Sequence, residues 1–355
     1  MKIKVALLEK DEAYLKKFAA VFNKKYIEKI QLYFATDASL IKDILEKNKI
    51  DVLLANEEFE IDLKKLPKRC GFAYILDNNL LSQNADGIRL IGKYQKVEMI
   101  YKEILNIYAE KATIISGIQQ EGDTKTNIIF VTSPAGGVGK TTMAYVCARN
   151  FVRTGKKVLF IDLDIWGDCS LCFSDVGQMD FSEVVYALKS QKSNISLKME
   201  SAVKKDASGV YFYSPTKTAL DMTEVLLEDV RTLFKILISE GKYDYIIVDK
   251  PFDLSDIVYE IIKNARHVLL VSDGSEVTNR KIVRAYETLE ILDDKKDLAL
   301  MNRLSIIYNK FSNKKSKMLD GLDIKTLGGI QKYENASTQQ ILNELQGSQI
   351  FNSIM

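Results

Sequence analysis

The chain has 355 residues, of which 46% are hydrophobic and 28% charged, and its formal net charge is +2. The composition is that of a globular protein, and the length allows more than one domain. The net charge is too small to attract nucleic acid or a membrane to the chain as a whole. No window approaches eighteen apolar residues, so we expect no transmembrane helix. Met1–Glu9 turns acidic too early for a signal peptide, and four cysteines suit a reducing cytoplasm.

Short apolar runs alternate with amphipathic stretches over residues 1–112, which predicts an α/β domain with a parallel sheet. Residues 113–124 contain Ser-Gly and Glu-Gly-Asp sequences, and we predict a linker there. The predicted strands are 4–8, 31–34, 51–55, 72–76 and 88–91, and the predicted helices are 11–24, 40–47 and 97–108.

The order and length of these elements resemble the receiver domain of two-component signalling. A receiver has an acidic pair after its first strand, where this chain has Glu9 and Lys10. Asn56 stands at the phospho-accepting aspartate, and Lys93 matches the lysine after the fifth strand. Because an amide cannot form an acyl phosphate, the resemblance implies a flavodoxin-like pseudo-receiver that serves protein contacts. An unrelated flavodoxin-like domain is the alternative.

Residues 125–355 are predicted to form a second α/β domain, with a mostly parallel sheet and helices on both faces. A glycine at position 155 suits the end of the first helix of this domain. The predicted strands are 128–132, 157–162, 210–213, 243–249, 267–271 and 304–308, and the predicted helices are 141–153, 181–189 and 226–239.

The first strand of this domain runs into a glycine-rich turn and a helix, which is the architecture of a phosphate-binding loop. Glycines let the backbone approach a triphosphate and aim N–H groups at it. Lys140 is predicted to reach the β- and γ-phosphates of ATP, and the Thr141 hydroxyl to hold Mg²⁺. The predicted nucleotide-binding residues of the loop are Ala135, Gly136, Gly137, Val138, Gly139, Lys140, Thr141 and Thr142.

The loop fails the common pattern at Pro134 but resembles the deviant loop of the MinD/ParA superfamily, K-G-G-x-G-K-[ST]-T, from Gly136 to Thr142. The first lysine of that pattern falls on Ala135. In the superfamily this lysine crosses a dimer interface to the partner's nucleotide. The resemblance therefore implies ATP binding with hydrolysis that is slow or absent.

Three aspartates at strand ends carry the remaining chemistry. Asp249 ends an apolar strand, where phosphate-loop enzymes place a carboxylate that holds Mg²⁺. Alternation puts Asp162 and Asp164 on one side of an extended segment. By resemblance, Asp162 supports the Mg²⁺ shell, Asp164 orients the attacking water as the catalytic partner of Lys140, and Asn309 reads the adenine edge. The alternatives are a solvated strand-end aspartate for Asp249, an acid-rich turn for Asp162 and Asp164, and a turn asparagine for Asn309.

For a lysine, a basic segment and a cysteine pair, the sequence allows two interpretations each. Lys250 either replaces part of the charge missing at Ala135 or faces solvent. The segment Lys310–Lys317 is either a DNA-contacting patch or a solvated loop, and the solvated loop is favoured because nothing else is strongly basic. Cys169 and Cys172 form one C-x-x-C pair, too few ligands for a tetrahedral metal site, and small buried hydrophobes are favoured.

A degenerate receiver followed by a MinD/ParA-type ATPase domain resembles the TadZ/CpaE family, which places the assembly machinery of Flp/Tad type IV pili. The resemblance implies a cytoplasmic homodimer around ATP and Mg²⁺, recruited to a cell pole. It also implies pilus or secretion assembly proteins as partners, and at most peripheral membrane association through them. The alternatives are a ParA-like ATPase that segregates DNA and binds it non-specifically, and a response regulator, which Asn56 disfavours.

Overall fold

The computed structural model describes residues 2–67, 70–77, 88–111, 126–173, 179–190, 195–296 and 300–355. Two compact units make up the chain: Met1–Ile118 with Ser190–Ala202, and Gln119–Lys189 with Val203–Met355. Both units are α/β, which confirms the predicted fold class. The predicted linker at 113–124 lies outside the described residues.

The first unit alternates strands and helices as predicted. Asp11 begins the first helix, because its carboxylate accepts the backbone N–H groups of Ala13 and Tyr14 at 2.9 and 3.0 Å. Phe18 and Phe22 of that helix are buried at helical spacing. The elements are β1 (Ile3–Leu8), α1 (Glu12–Lys25), β2 (Ile30–Ala35), α2 (Ala38–Asn48), β3 (Val52–Asn56), β4 (Gly71–Leu76), β5 (Arg89–Gly92) and α3 (Val97–Lys111).

The five strands form one parallel sheet in the order β2-β1-β3-β4-β5. Successive side chains of β1 enter opposite cores: Val5 and Leu7 join one hydrophobic cluster, and Ala6 and Leu8 join the other. This strand order is that of doubly wound flavodoxin-like sheets, whose ligand sites lie at the carboxyl ends of the strands. Asn56 ends β3 at that edge.

The remainder of the chain begins with the predicted strand–loop–helix. Six of its strands are close to the predicted ones, whereas the sequence analysis did not anticipate the strands Lys204–Lys205 and Lys325–Gln331 or several of the helices. The elements are β6 (Asn127–Thr132), α4 (Lys140–Arg153), β7 (Val158–Asp162), α5 (Phe181–Lys189), α6 (Ile195–Ala202), β8 (Lys204–Lys205), β9 (Tyr211–Phe212), α7 (Ala219–Thr223), α8 (Leu227–Glu240), β10 (Tyr245–Asp249), α9 (Asp256–Asn264), β11 (Ala265–Ser272), α10 (Glu276–Lys296), β12 (Leu304–Phe311), β13 (Lys325–Gln331) and α11 (Thr338–Glu344).

The sheet of the second unit has the order β13-β12-β11-β6-β10-β7-β9-β8. All its pairings are parallel except that of β8 with β9, as the prediction of a mostly parallel sheet requires. Strands β6 and β10 are central and almost fully buried, which explains their continuous apolar sequences. Their carboxyl ends, with that of β7, therefore share one edge of the sheet.

Helix α6 belongs to the first unit, although it lies between α5 and β8 in the sequence. The Lys198 ammonium donates to the side-chain carbonyl of Asn106 on α3. The carboxylate of Glu200 accepts the Tyr101 hydroxyl at 2.9 Å and also pairs with Lys29. The sequence analysis did not anticipate this helix, or its packing against α3.

None of the helices in the described ranges combines the length and apolar character that a membrane span requires. Cys169 and Cys172 are both buried, as the interpretation of small hydrophobes expects. They join the core cluster that also contains Phe160, Phe173 and Phe212. Burial raises the pKa of the Cys172 thiol to about 12, so this thiol stays protonated at neutral pH.

Candidate functional site

The loop between β6 and α4 has the backbone of an anion site. Gly137 and Gly139 have φ angles of 75° and 85°, in the left-handed region that glycine adopts without a Cβ clash. Gly139 is the N-cap of α4 and makes no side-chain capping bond, so the first turn keeps its N–H donors. Helix N-termini of this kind bind phosphate groups.

Strand pairing brings two of the predicted carboxylates side by side. Asp249 and Asp162 are direct register partners at the carboxyl ends of β10 and β7. The backbone N–H of Leu163 donates to the carbonyl of Asp249 at 2.8 Å, which fixes the segment that leads to Asp164. Asp164 donates its own N–H to Asp162 Oδ1 at 3.0 Å. The three aspartates thus form one acidic cluster beside the phosphate loop.

Lys140 lies within this acidic cluster. Its ammonium pairs with Asp249 Oδ1 and lies 3.7 Å from Asp164 Oδ2. Burial raises the pKa of Asp249 above its ordinary value, although the charge of Lys140 and hydrogen bonds from Lys140 and Thr141 act to lower that pKa. The structure therefore brings together Lys140, Thr141, Asp164 and Asp249, which the sequence analysis grouped.

The acidic cluster fits a hard cation. Asp162 Oδ2 and Asp249 Oδ2 are buried and have no hydrogen-bond partner within the described part of the chain. Burial raises the pKa of Asp162, and the neighbouring Asp249 carboxylate adds to the shift. Because buried carboxylate oxygens without partners are costly, they are suited to a bound cation, and Mg²⁺ prefers oxygen ligands. Thr141, Asp162 and Asp249 are the residues that would hold it.

Gly167 is a site residue that the sequence analysis missed. A Cβ built on Gly167 would lie 2.4 Å from Asp162 Oδ2, so the absence of a side chain makes room for that carboxylate. The glycine follows Trp166, the single tryptophan of the chain, which is 83% exposed. A glycine just beyond a strand-end aspartate is the sequence signal that could have identified this position.

The position of the superfamily's first lysine is partly buried. Ala135 packs against the core cluster of the second unit, and its N–H donates to Ser133 Oγ at 3.2 Å. Lys250 is only 8% exposed, and its ammonium lies 3.8 Å from Asp253 Oδ2. The interpretation of Lys250 as a solvent-facing lysine is therefore wrong. Its role as a replacement for the missing charge stays a prediction.

Asn309 and Lys310 both contact the phosphate loop. Asn309 Nδ2 donates to the carbonyl of Val138 at 2.8 Å, whereas its predicted contact with adenine stays a prediction. Lys310 Nζ donates to the carbonyl of Gly137 at 2.8 Å, a contact that the sequence did not reveal. Lys310 is exposed, as are Lys314 and Lys315 of the same basic segment, and what distinguishes it is this contact with the loop.

The receiver-like unit has a closed ionic network at its own strand ends. Asn56 Nδ2 donates to Glu9 Oε2 at 3.0 Å, and Lys93 Nζ lies 3.0 Å from the same oxygen. Lys93 also pairs with Asp77 at 2.9 Å. Glu9, Asn56 and Lys93 are all at most 5% exposed. A buried amide that donates to Glu9 thus stands at the phospho-accepting position, which agrees with a pseudo-receiver.

Two family models match the chain. The model described as "TadZ-like, receiver domain" matches residues 1–109, and the model described as "AAA domain" matches residues 126–303. The second match spans half of the chain and contains the phosphate loop and the three aspartates.

Individual proteins also resemble the chain. The septum site-determining protein MinD of Thermotoga maritima is 26% identical over 205 residues, which are 56% of this chain and 70% of that protein. An iron-sulfur cluster carrier protein of Rickettsia conorii is 22% identical over 288 residues, 78% of this chain and 80% of that protein. A ParA family ATPase from Chlorobium tepidum has a similar fold, with a TM-score of 0.51 and 19% identity over 66% of this chain and 97% of that one.

Proposed function

We propose that this chain, which belongs to the MinD/ParA-type P-loop ATPases and has a TadZ-like receiver domain at its N-terminus, is a nucleotide-dependent localisation factor for Flp/Tad type IV pilus assembly. The observation that carries the nucleotide-binding part is the placement of Lys140 between Asp249 and Asp164 at the foot of the loop. The pilus part is supported by the pairing of the two domains.

Different residues of the site bind the phosphates of ATP, the Mg²⁺ ion and the attacking water. Backbone N–H groups of Gly136–Thr142 and the first turn of α4 surround the phosphates of ATP. Lys140 leaves the carboxylates and contacts the β- and γ-phosphates. Thr141, Asp162 and Asp249 hold Mg²⁺, whose charge offsets that of the phosphates. Asp164, freed from Lys140, orients a water molecule toward the γ-phosphate.

Hydrolysis in this proposal is slow, because Ala135 offers no cation to the developing charge. A positive group at the transferring phosphate is worth several orders of magnitude in phosphate-loop enzymes. Two copies close with nucleotide between them, and the γ-phosphate orders the segments that follow Asp162 and Asp249. The protein then acts as a switch that reports its nucleotide state.

The proposed domains are a pseudo-receiver at residues 1–112, a linker at 113–124 and the ATPase at 125–355, from which Ser190–Ala202 contributes to the first compact unit. The pseudo-receiver supplies contacts to pilus or secretion assembly proteins, and these bring the chain to a cell pole. The buried Asn56 amide, which donates to Glu9, disfavours phosphotransfer by this unit.

Calorimetric titration with ATP and Mg²⁺ tests the binding step. Lys140→Ala is expected to weaken ATP binding at least about thirtyfold, because it removes charge-assisted hydrogen bonds to phosphate. Lys156→Ala, at an exposed position just beyond α4, is the matched control and should bind as the wild type does. Equal affinity of the wild type and Lys140→Ala would exclude the loop as the nucleotide site.

The pilus role is tested in the native cell. Deleting the gene should abolish surface pili, and a fluorescent fusion should form polar foci that the Lys140→Ala version fails to form. Normal piliation in the deletion strain, with a defect in DNA segregation instead, would replace this proposal with the ParA-like alternative.

A further inference from the structure

Two consecutive carbonyl groups of the phosphate loop are held by two consecutive side chains of β12. Asn309 donates to the carbonyl of Val138, and Lys310 donates to that of Gly137, both at 2.8 Å. Asn309 is buried, so water competes little for its bond. The residues that meet here lie more than 170 positions apart in the sequence.

The backbone of β12 is distorted where these two side chains arise. In a regular strand, neighbouring side chains point to opposite faces, and only one of two could reach a given loop. Here the pairing of β12 with β13 shifts register between Tyr308 and Phe311. Lys310 has a φ of 54°, in the left-handed region that residues with a Cβ rarely occupy. The distortion places Asn309 and Lys310 on the same target.

The close approach also depends on a glycine of the loop. A Cβ built on Gly139 would lie 2.2 Å from Asn309 Nδ2, and that glycine has a φ of 85°. A side chain at position 139 would therefore displace Asn309 from the loop. The third glycine of the loop has a packing role in addition to its conformational one.

Holding a carbonyl group also orients the N–H of the next residue. The peptide unit is planar and trans, so its C=O and N–H point in opposite directions. Fixing the carbonyls of Gly137 and Val138 toward β12 aims the N–H groups of Val138 and Gly139 to the opposite side. Those N–H groups are the donors with which a glycine-rich loop binds phosphate.

We propose that Asn309 and Lys310 are positioning residues that clamp the phosphate loop, so that the Val138 and Gly139 N–H groups are preorganised for the diphosphate part of a nucleotide. This clamp rests on the proposed nucleotide binding. It acts through the loop, and therefore serves ADP and ATP alike. A lysine that touched the γ-phosphate directly would favour ATP over ADP.

The test compares Lys310→Met and Lys310→Arg with Lys314→Met, a neighbouring exposed lysine. Calorimetry with ADP and with ATP measures affinity, and amide hydrogen exchange of residues 135–141 measures loop order without nucleotide. Lys310→Met is expected to weaken ADP and ATP binding equally, by about tenfold or ~1.4 kcal/mol, and to speed loop exchange. Lys310→Arg should restore most of both, because it keeps a donor.

A second variant, Asn309→Asp, keeps the side-chain size but removes the donor, and should speed loop exchange without nucleotide, a readout that a lost contact with adenine would not change. The clamp is overturned if Lys310→Met matches Lys314→Met in affinity and exchange, or if ATP binding alone is weakened. If the wild type binds no nucleotide, the proposed function fails, whereas the exchange comparison still decides whether the clamp orders the loop.

Discussion

The buried ion pair of the receiver-like unit offers a sharp prediction for Lys93→Met. The substitution keeps the apolar stem beside the Tyr14 ring, whose centroid lies 5.0 Å from the ammonium, and removes only the charge. Glu9 is 3% exposed and accepts bonds from the Asn56 side chain and the Asp11 N–H, both at 3.0 Å. The substitution leaves these two bonds but removes the cation beside the carboxylate.

The expected loss follows from these contacts. Breaking a buried ion pair costs about 3–5 kcal/mol, and the two remaining bonds to Glu9 favour the lower figure, about 3 kcal/mol. The loss of the Lys93–Asp77 pair adds little to this cost, because the Asp77 side chain is 44% exposed and water can solvate its carboxylate. The control Lys10→Met removes a pair with Glu58 at 3.0 Å whose side chains are 62% and 56% exposed, and should cost less than about 1 kcal/mol.

The contribution of Lys93 to the stability of the wild-type unit should not vary across neutral pH. Burial acts to lower the pKa of Lys93, but hydrogen bonds to Asp77 and Glu9 outweigh it and hold the pKa above the ordinary 10.5. A group with a raised pKa stabilises the fold fully below its unfolded pKa, and loses that contribution only as pH rises through the folded value. The stabilisation that Lys93 gives the wild-type unit should therefore be the same at every pH from about 6 to 9.

Amide hydrogen exchange of β1 and β3 measures the loss of stability in the first unit by itself. A local measurement is needed because a chain of two units has no single free energy of unfolding. A loss of about 3 kcal/mol corresponds to roughly a hundredfold faster exchange where opening is global for that unit. The double variant Glu9→Gln, Lys93→Met should lose less than Lys93→Met alone, because no unpaired charge remains. Equal exchange rates in Lys93→Met and Lys10→Met would show that the buried ion pair stabilises the unit no more than the exposed one does.

Three further perturbations have defined outcomes. Gly167→Ala should displace the Asp162 carboxylate and weaken Mg²⁺-dependent ATP binding about tenfold in calorimetry, but leave binding in EDTA unchanged. Ala135→Lys should raise phosphate release at least about tenfold, because it supplies the missing cation; an unchanged rate would contradict this. Glu200→Gln should destabilise the docking of α6 by about 1 kcal/mol, visible as faster exchange of its amides and not of those in α8.

Part of the fold is predictable because its determinants are local. Strands β6 and β10 are continuous apolar runs, and helix α1 has both a cap and a buried stripe. Helix α6 escaped prediction because Lys198 and Ser201 are among its buried residues, which hides its packed face in the sequence. Strand β13 is an edge strand with two glycines and mostly exposed side chains, so it has no hydrophobic signature.

The candidate site divides in the same way. The spacing of the loop and the strand-end positions of the aspartates were sufficient to group Lys140, Asp162 and Asp249, because parallel strands bring their carboxyl ends to one edge. The contact of Lys310 depends on the approach of a distant segment and on one left-handed residue, for which a single sequence has no local pattern. Gly167 lies only five residues beyond Asp162, and its position after a strand-end aspartate is a local signal that the prediction did not use.

Sedimentation velocity with no nucleotide, with ADP, and with ATP and Mg²⁺ tests whether the protein dimerises only with ATP. Phosphate release, followed in parallel, tests whether hydrolysis is slow. We expect a dimer with ATP and Mg²⁺, a monomer in the other two conditions, and little phosphate release while the dimer persists. A monomer in all three conditions, or a dimer that forms and dissolves with rapid phosphate release, would contradict this expectation.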